Sequence, residues 1–388
     1  MSERPAGIRA SSAYLPELES LRGIAIVLVM FFHTDGLVRM PFSNSRGLWP
    51  SPLGAFILAG HTGVSLFFIL SAFLLSMPFL AEAEGGRPVS PAAFYRRRAL
   101  RILPLYWTAV LVFMALAAEH PADLLRALPY LAFVNSVPTW AAQIFPYTTV
   151  LWSLATEVQF YLLLPLLSRC LGSRRGGRIG LAALLLYGAA YAAFLAGRMD
   201  HWPEGASFFL RMGIFGRGPF FLFGILAAWI YRRHGDRIRA WRGWRAGVPE
   251  LALGACVLGL GSMLQRLVFS GYEVWEIPPR FAWHLVEGAL WSTIVLLTLL
   301  TPLRLRALLV NRVLARLGVL SYSIYLLHVP VWYATLTVVR NALRPPVGWS
   351  PLMVAWVAGA TVVLLLLSTL TYRFVEQPFL VRKARIES

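Results

Sequence analysis

Charge is what this sequence has least of. Of its 388 residues only 14% are charged, while 58% are hydrophobic. A soluble domain carries about 25% charged residues. The shortfall excludes an ordinary water-soluble enzyme and points to lipid as the solvent. Lysine is nearly absent: the 36 basic residues are all arginine but for Lys383. Acidic residues number 18, so the net charge is +18. A balance this basic suits a nucleic-acid binder. Here, however, the arginines sit in short loops between apolar runs, which is the pattern of membrane topology. Cysteine is also scarce. Cys170 and Cys256 lie in or beside apolar runs, show no metal-ligand spacing and give no case for a disulfide.

What the chain does have is long apolar runs from one end to the other. A helix needs about 20 residues to cross the hydrocarbon core. Ten stretches meet that length, at 17–38, 54–80, 101–119, 149–170, 178–197, 213–231, 249–269, 282–302, 318–340 and 351–373. The expected fold is therefore all-α: a polytopic membrane bundle of about ten transmembrane helices. Residues 123–135 are too short to span and are expected to lie at the interface or re-enter. The first run is not a cleavable signal, because it holds His33 and Asp35, has no A-x-A site after it, and is followed by further runs. Residues 1–14 read as a disordered tail and 382–388 as a second tail.

The loops test this count. With the N-terminus inside, the inner loops hold Arg96 to Arg98, then Arg169, Arg174, Arg175 and Arg178, then six arginines between Arg232 and Arg245, then Arg304, Arg306, Arg312 and Arg316. The outer loops hold fewer and carry acids such as Glu119, Asp123, Asp200 and Glu204. Alternation of this kind is the positive-inside rule, and it is expected to place both termini on the cytoplasmic side of the membrane.

Polar groups inside such spans are costly, about 2.5–3.5 kcal/mol for a charge at the bilayer centre, and usually functional. In RGIAIVLVMFFH, Arg22 and His33 are eleven residues apart. At 100° per residue that is about 20° beyond three turns, so both project from one face, about 16 Å apart along the axis. Asp35 falls on another face and is expected only to cap the helix end. Arg98 and Arg101 are i, i+3 neighbours at the inner end of the third span. Two forked guanidiniums at one level suit phosphate groups, although a topology signal is an equal reading. Glu157 sits in the fourth span one turn from Ser153 and one from Tyr161, at roughly the level of His33. It is expected to pair with the imidazole and orient it, or else to form a structural ion pair. Ser321, Tyr325 and His328 share a stripe of the ninth span, where interhelical hydrogen bonds are an equal reading. His61 is expected at the interface.

These stretches resemble the acyltransferase-3 family, bacterial integral-membrane O-acyltransferases with a ten-helix core, over about residues 14 to 381. ELESLRGIAIVLVMFFH is similar to the opening helix, with Glu19 where Asp is usual. GHTGVSLFFILSAFLL resembles the second-helix motif, with Ser65 replacing a common Asp and Ala72 a common Gly. FYRRRALRILPLYW carries the Arg-x-x-Arg motif on Arg98 and Arg101, and LWSLATEVQFY carries Trp152, Ser153, Glu157 and Tyr161. SYSIYLLHVPV and RFVEQPFL match late elements. Some members add a C-terminal hydrolase-like domain; this chain is expected to be a stand-alone membrane member, with its transmembrane domain at 15–381.

The resemblance implies transfer of an acyl group, commonly acetyl, from acyl-CoA to a hydroxyl of a carbohydrate or glycosylated acceptor. It implies no permanently bound cofactor and no metal; acyl-CoA is the co-substrate. Arg22, Arg98 and Arg101 would hold the donor's phosphates, His33 would be the general base and Glu157 its orienting acid. Trp152, Ser153, Tyr161, Ser321, Tyr325 and His328 would contact substrate. A transporter of a small anionic or sugar-like solute would use the same buried polar groups.

Overall fold

The computed structural model describes residues 15–39, 51–135, 144–171, 174–196, 209–269, 282–344 and 347–387. The expected N-terminal tail lies outside them. Ten helices among these residues are long and apolar enough to cross a membrane. They are α1 (Pro16–Val38), α2 (Thr62–Ala83), α3 (Pro91–Ala117), α4 (Leu151–Leu171), α5 (Arg174–Leu195), α6 (Ile214–Arg239), α7 (Val248–Phe269), α8 (Trp283–Leu300), α9 (Arg312–Leu343) and α10 (Pro351–Thr371). After α10 a π-turn, Tyr372–Glu376, leads into a last helix, Gln377–Glu387, so the expected second tail is helical as far as Glu387.

Two helices begin well before the apolar runs that announced them. Ser90 caps α3, its hydroxyl accepting from the Ala93 N–H at 3.4 Å, with Pro91 at the first helical position. Asn311 caps α9 through the Val313 and Leu314 N–H groups. Hydropathy follows the hydrocarbon region, whereas capping decides where a helix starts. Both extra segments are arginine-bearing, so Arg98 stands inside a helix rather than in a loop. The stretch 123–135 forms only short helical turns, Pro121–Arg126 and Ala127–Leu131. Asp123 accepts from the backbone N–H groups of His120 and Glu119, which hold its carboxyl below the usual range.

Apolar side chains face outward as well as inward. Leu166, Leu186 and Leu366 are exposed, while Ser323, His328 and Thr62 are fully buried. Such a distribution suits a lipid solvent, in which helices gain little from hiding leucine and associate through close packing and polar contacts. The tightest approach is between α1 and α9, which run in the same direction. A Cβ on Gly23 would stand 2.0 Å from the Leu314 carbonyl oxygen, and one on Gly318 would stand 1.8 Å from that of Glu19. Only glycine lets these backbones touch. The contact sets α1 and α9 in register and brings their polar stripes face to face.

At the far end of α1, Asp35 does more than cap. Its buried carboxylate accepts from Arg39 Nε at 2.9 Å and from Trp349 Nε1 at 2.8 Å, tying the α9–α10 connection to α1. That partner lies more than three hundred residues away, so helix-face arithmetic on α1 had no access to it.

Candidate functional site

A cavity of about 120 Å³ opens between α1, α2, α3, α4 and α9. Arg22, Arg98 and Arg101 line it, all near the end of the bundle where α1 begins. Glu157, Ser153 and Tyr161 line it from α4, and Ser321 and Tyr325 from α9. Eight of the eleven side chains singled out in the sequence therefore share one cavity, although they come from four helices. The other three, His33, His328 and Trp152, do not line it.

The three arginines are not equivalent. Arg22 donates from Nη2 to the Ser321 hydroxyl at 3.3 Å. Arg101 is ion-paired, Nη1 to Glu376 Oε2 at 2.9 Å, and the Glu376 side chain is only 1% exposed. Ser323 also donates to Glu376. The π-turn after α10 delivers this carboxylate, an irregularity often found at functional positions. Arg98 has its guanidinium 6.0 Å from the Tyr161 ring, and its Nε has no hydrogen-bond partner among the described residues. The donor groups most available to a ligand are thus those of Arg98 and Arg22.

Glu157 and His33 are not brought together. The Ser71 hydroxyl donates to Glu157 Oε1 at 2.6 Å, and Tyr161 stands against the same carboxylate. His33 Nδ1 instead lies 3.0 Å from the Val29 carbonyl and 3.1 Å from His328 Nε2. Helical rise alone put Glu157 and His33 at one level. Which way each helix is turned depends on its packing, and α4 turns Glu157 into the cavity. Tyr325 marks the boundary between the two regions: its hydroxyl is 2.6 Å from the Ser153 hydroxyl, and its ring centroid is 5.9 Å from that of His328.

A second buried polar cluster escaped the sequence reading. Glu287 on α8 accepts from the Thr62 hydroxyl at 2.6 Å, and Thr62 in turn accepts from Trp291 Nε1 at 2.7 Å. Ser65 faces the same carboxylate. A carboxylate from another helix thus stands beside Ser65. Arg217 on α6 contacts His284 Nε2 at 3.0 Å and stands 5.2 Å from the Trp152 ring, which accounts for Trp152 lying off the cavity. His61 is half-buried, its ring 5.4 Å from Phe32, close to this cluster rather than at an open interface. The signal was present: Arg217, His284 and Glu287 are ionisable groups inside apolar runs.

Comparison with known proteins identifies the family. The family model described as an acyltransferase domain, acyltransferase-3, matches residues 15–373. A putative membrane-bound transacylase, BcsY, of Komagataeibacter xylinus is 25% identical over 380 residues, 93% of this chain and 82% of that one. Peptidoglycan O-acetyltransferase OatA of Listeria monocytogenes is 27% identical over 173 residues, 40% of this chain but only 24% of that protein's length. Nodulation protein 10 of Rhizobium leguminosarum is 30% identical over 176 residues, 40% of this chain and 45% of that one. No solved structure matches. A match over nearly the whole chain, on ten membrane-length helices whose polar residues converge, means that the chain belongs to the acyltransferase-3 family of multi-pass membrane acyltransferases.

Proposed function

We propose that this protein moves an acyl group, acetyl being the first to test, from acyl-CoA to a hydroxyl of a saccharide or glycoconjugate. It would do so within the bacterial inner membrane, with both termini in the cytoplasm. The observation that carries this reading is one cavity joining three arginines at one end of the bundle to a hydroxyl-rich wall that ends at Tyr325, beside His328, which in turn meets His33. OatA, a peptidoglycan O-acetyltransferase by name, supports a carbohydrate-type acceptor.

Acyl-CoA is anionic and cytoplasmic, and the arginine-bearing end of the bundle is the end that topology assigns to the cytoplasm. Arg98 and Arg22, with Arg101 behind them, would hold the phosphates. The pantetheine arm would then run along the cavity past Tyr325 toward His33. Its length is comparable to the about 16 Å axial rise from Arg22 to His33. His33 acts as the general base: it takes the proton of the acceptor hydroxyl as that oxygen attacks the thioester carbonyl. A C–O bond forms, the C–S bond breaks, and the imidazolium returns its proton to the departing thiolate. Free CoA thiol is the second product. Glu157, held by Ser71 next to Arg98, balances the cavity's positive charge and orients its hydroxyl groups.

The test is thiol release from acetyl-CoA by membranes supplied with saccharide acceptors. His33→Ala is expected to abolish release while the protein still accumulates in the membrane. Retained turnover in that variant removes the base assignment. Movement of intact solute with no thiol released identifies a transporter instead.

A further inference from the structure

The geometry points to His328 as the positioning residue that holds His33 in the tautomer a base requires. We propose that the two imidazoles form a His–His dyad in which His328 does what a carboxylate does in other acid–base sites. This rests on the reading of His33 as the base.

The hydrogen bonds leave one consistent set of protons. His328 is fully buried, and its Nδ1 lies 2.8 Å from the Tyr325 carbonyl oxygen and 3.1 Å from that of Ile324. A carbonyl oxygen only accepts, so this nitrogen carries a hydrogen. His33 Nδ1 faces the Val29 carbonyl at 3.0 Å and by the same argument also carries one. That N–H points as well to His328 Nε2, 3.1 Å away, which must then be the accepting lone pair. A hydrogen on His328 Nε2 would meet the one on His33 Nδ1 head-on. His328 is thereby neutral, and in the neutral form of His33 the remaining nitrogen, Nε2, has its lone pair open. It has no hydrogen-bond partner among the described residues.

The rings meet edge to face, with centroids 4.8 Å apart and planes 68° from parallel, which fixes the direction of the Nε2 lone pair. When Nε2 takes a proton, His33 Nδ1–H becomes a charge-assisted donor to His328, so the interaction strengthens as the reaction proceeds. A neutral acceptor also suits the depth. A carboxylate here would need its own desolvated charge to be balanced. Other charged or titratable groups facing His33 are His61, beside Phe32, and, beyond it, Arg217. Neither takes the place of the Nδ1 acceptor.

Gln and Met have nearly the same size, but only Gln carries an oxygen able to accept from His33 Nδ1. His328→Gln is therefore expected to keep turnover within a few-fold of the parent. His328→Met is expected to lose about tenfold to a hundredfold in kcat, less than the roughly hundredfold to ten-thousandfold that a general base itself contributes, because His33 is still present and only its orientation is lost. Both should leave KM for the donor unchanged. A residue needed only for packing would not separate the two variants, or would favour Met. Equal turnover of Gln and Met, at any level, overturns the proposal. Should either variant fail to accumulate, nitrogen-15 spectra of the parent protein in lipid decide the matter, with His33 assigned by its loss in His33→Asn. Protonation at Nδ1 is expected, and protonation at Nε2 overturns the dyad. Failure of the base reading is separate: it shows as turnover in His33→Ala, whatever position 328 holds.

Discussion

Replacing Arg98 and Arg101 one at a time should give two different defects. Arg98 spends little of its hydrogen-bonding capacity on the protein, so Arg98→Ala removes donor contacts without breaking a hydrogen-bonded ion pair, and Glu157 keeps its bond from Ser71. A hydrogen bond to a charged group is worth about 1.5–3 kcal/mol. At about 1.4 kcal/mol per tenfold, KM for acetyl-CoA should rise roughly 10- to 100-fold. Arg101 is already committed to Glu376, whose carboxylate is almost fully buried. Removing one partner of a buried pair costs about 3–5 kcal/mol, because the other charge is left alone. Arg101→Ala should therefore first lower thermal stability in detergent. The double variant Arg101→Leu/Glu376→Leu should recover most of that loss, since no unpaired charge remains. The kinetic assay compares acetyl-CoA with S-acetylpantetheine, which carries no nucleotide and no phosphate. Arg98→Ala should weaken the first donor and leave the second unchanged. Equal losses with both donors refute the phosphate role. A stable Arg101→Ala refutes the argument that Arg101 is held by Glu376.

Two further outcomes follow from the packing. Gly318→Ala would press a methyl group against the Glu19 carbonyl at a position now 1.8 Å away, so α1 and α9 must part. The Arg22–Ser321 bond, already 3.3 Å, should break; the cost is about 1–3 kcal/mol of stability, measured by thermal unfolding in detergent, and an unshifted midpoint contradicts the close approach. Thr62→Val strips Glu287 of a donor and Trp291 of its acceptor. Leaving buried polar groups unsatisfied costs about 1–3 kcal/mol each, so this variant should destabilise the fold more than Thr293→Val, whose hydroxyl bonds only its own helix.

Ten spans, their alternating loop charge, and the rows of polar residues along single helices were all legible without coordinates. Hydropathy and the 100° helical step are local properties, and they need no knowledge of neighbours. Thus Arg22 with His33, Arg98 with Arg101, and Ser321 with Tyr325 and His328 could each be put on one face of a helix from spacing alone. The motifs, which keep their order along the chain, named most of the cavity's walls.

Partners were decided by the tertiary structure. Each helix can turn about its axis without changing its hydropathy, and the turn is set by contacts such as Gly23 on Leu314 and Gly318 on Glu19. That rotation gave His33 to His328 and Glu157 to Ser71, where depth alone had matched His33 with Glu157. It also gave Arg101 to Glu376, across 275 residues of chain. The Thr62–Glu287–Trp291 cluster joins α2 to α8, and Arg217 comes from α6, so no single-helix pattern could assemble them. In a lipid solvent a buried polar group must find its partner on another helix or on its own backbone. The sequence shows that such a group is present, and only the packed bundle shows which partner it finds.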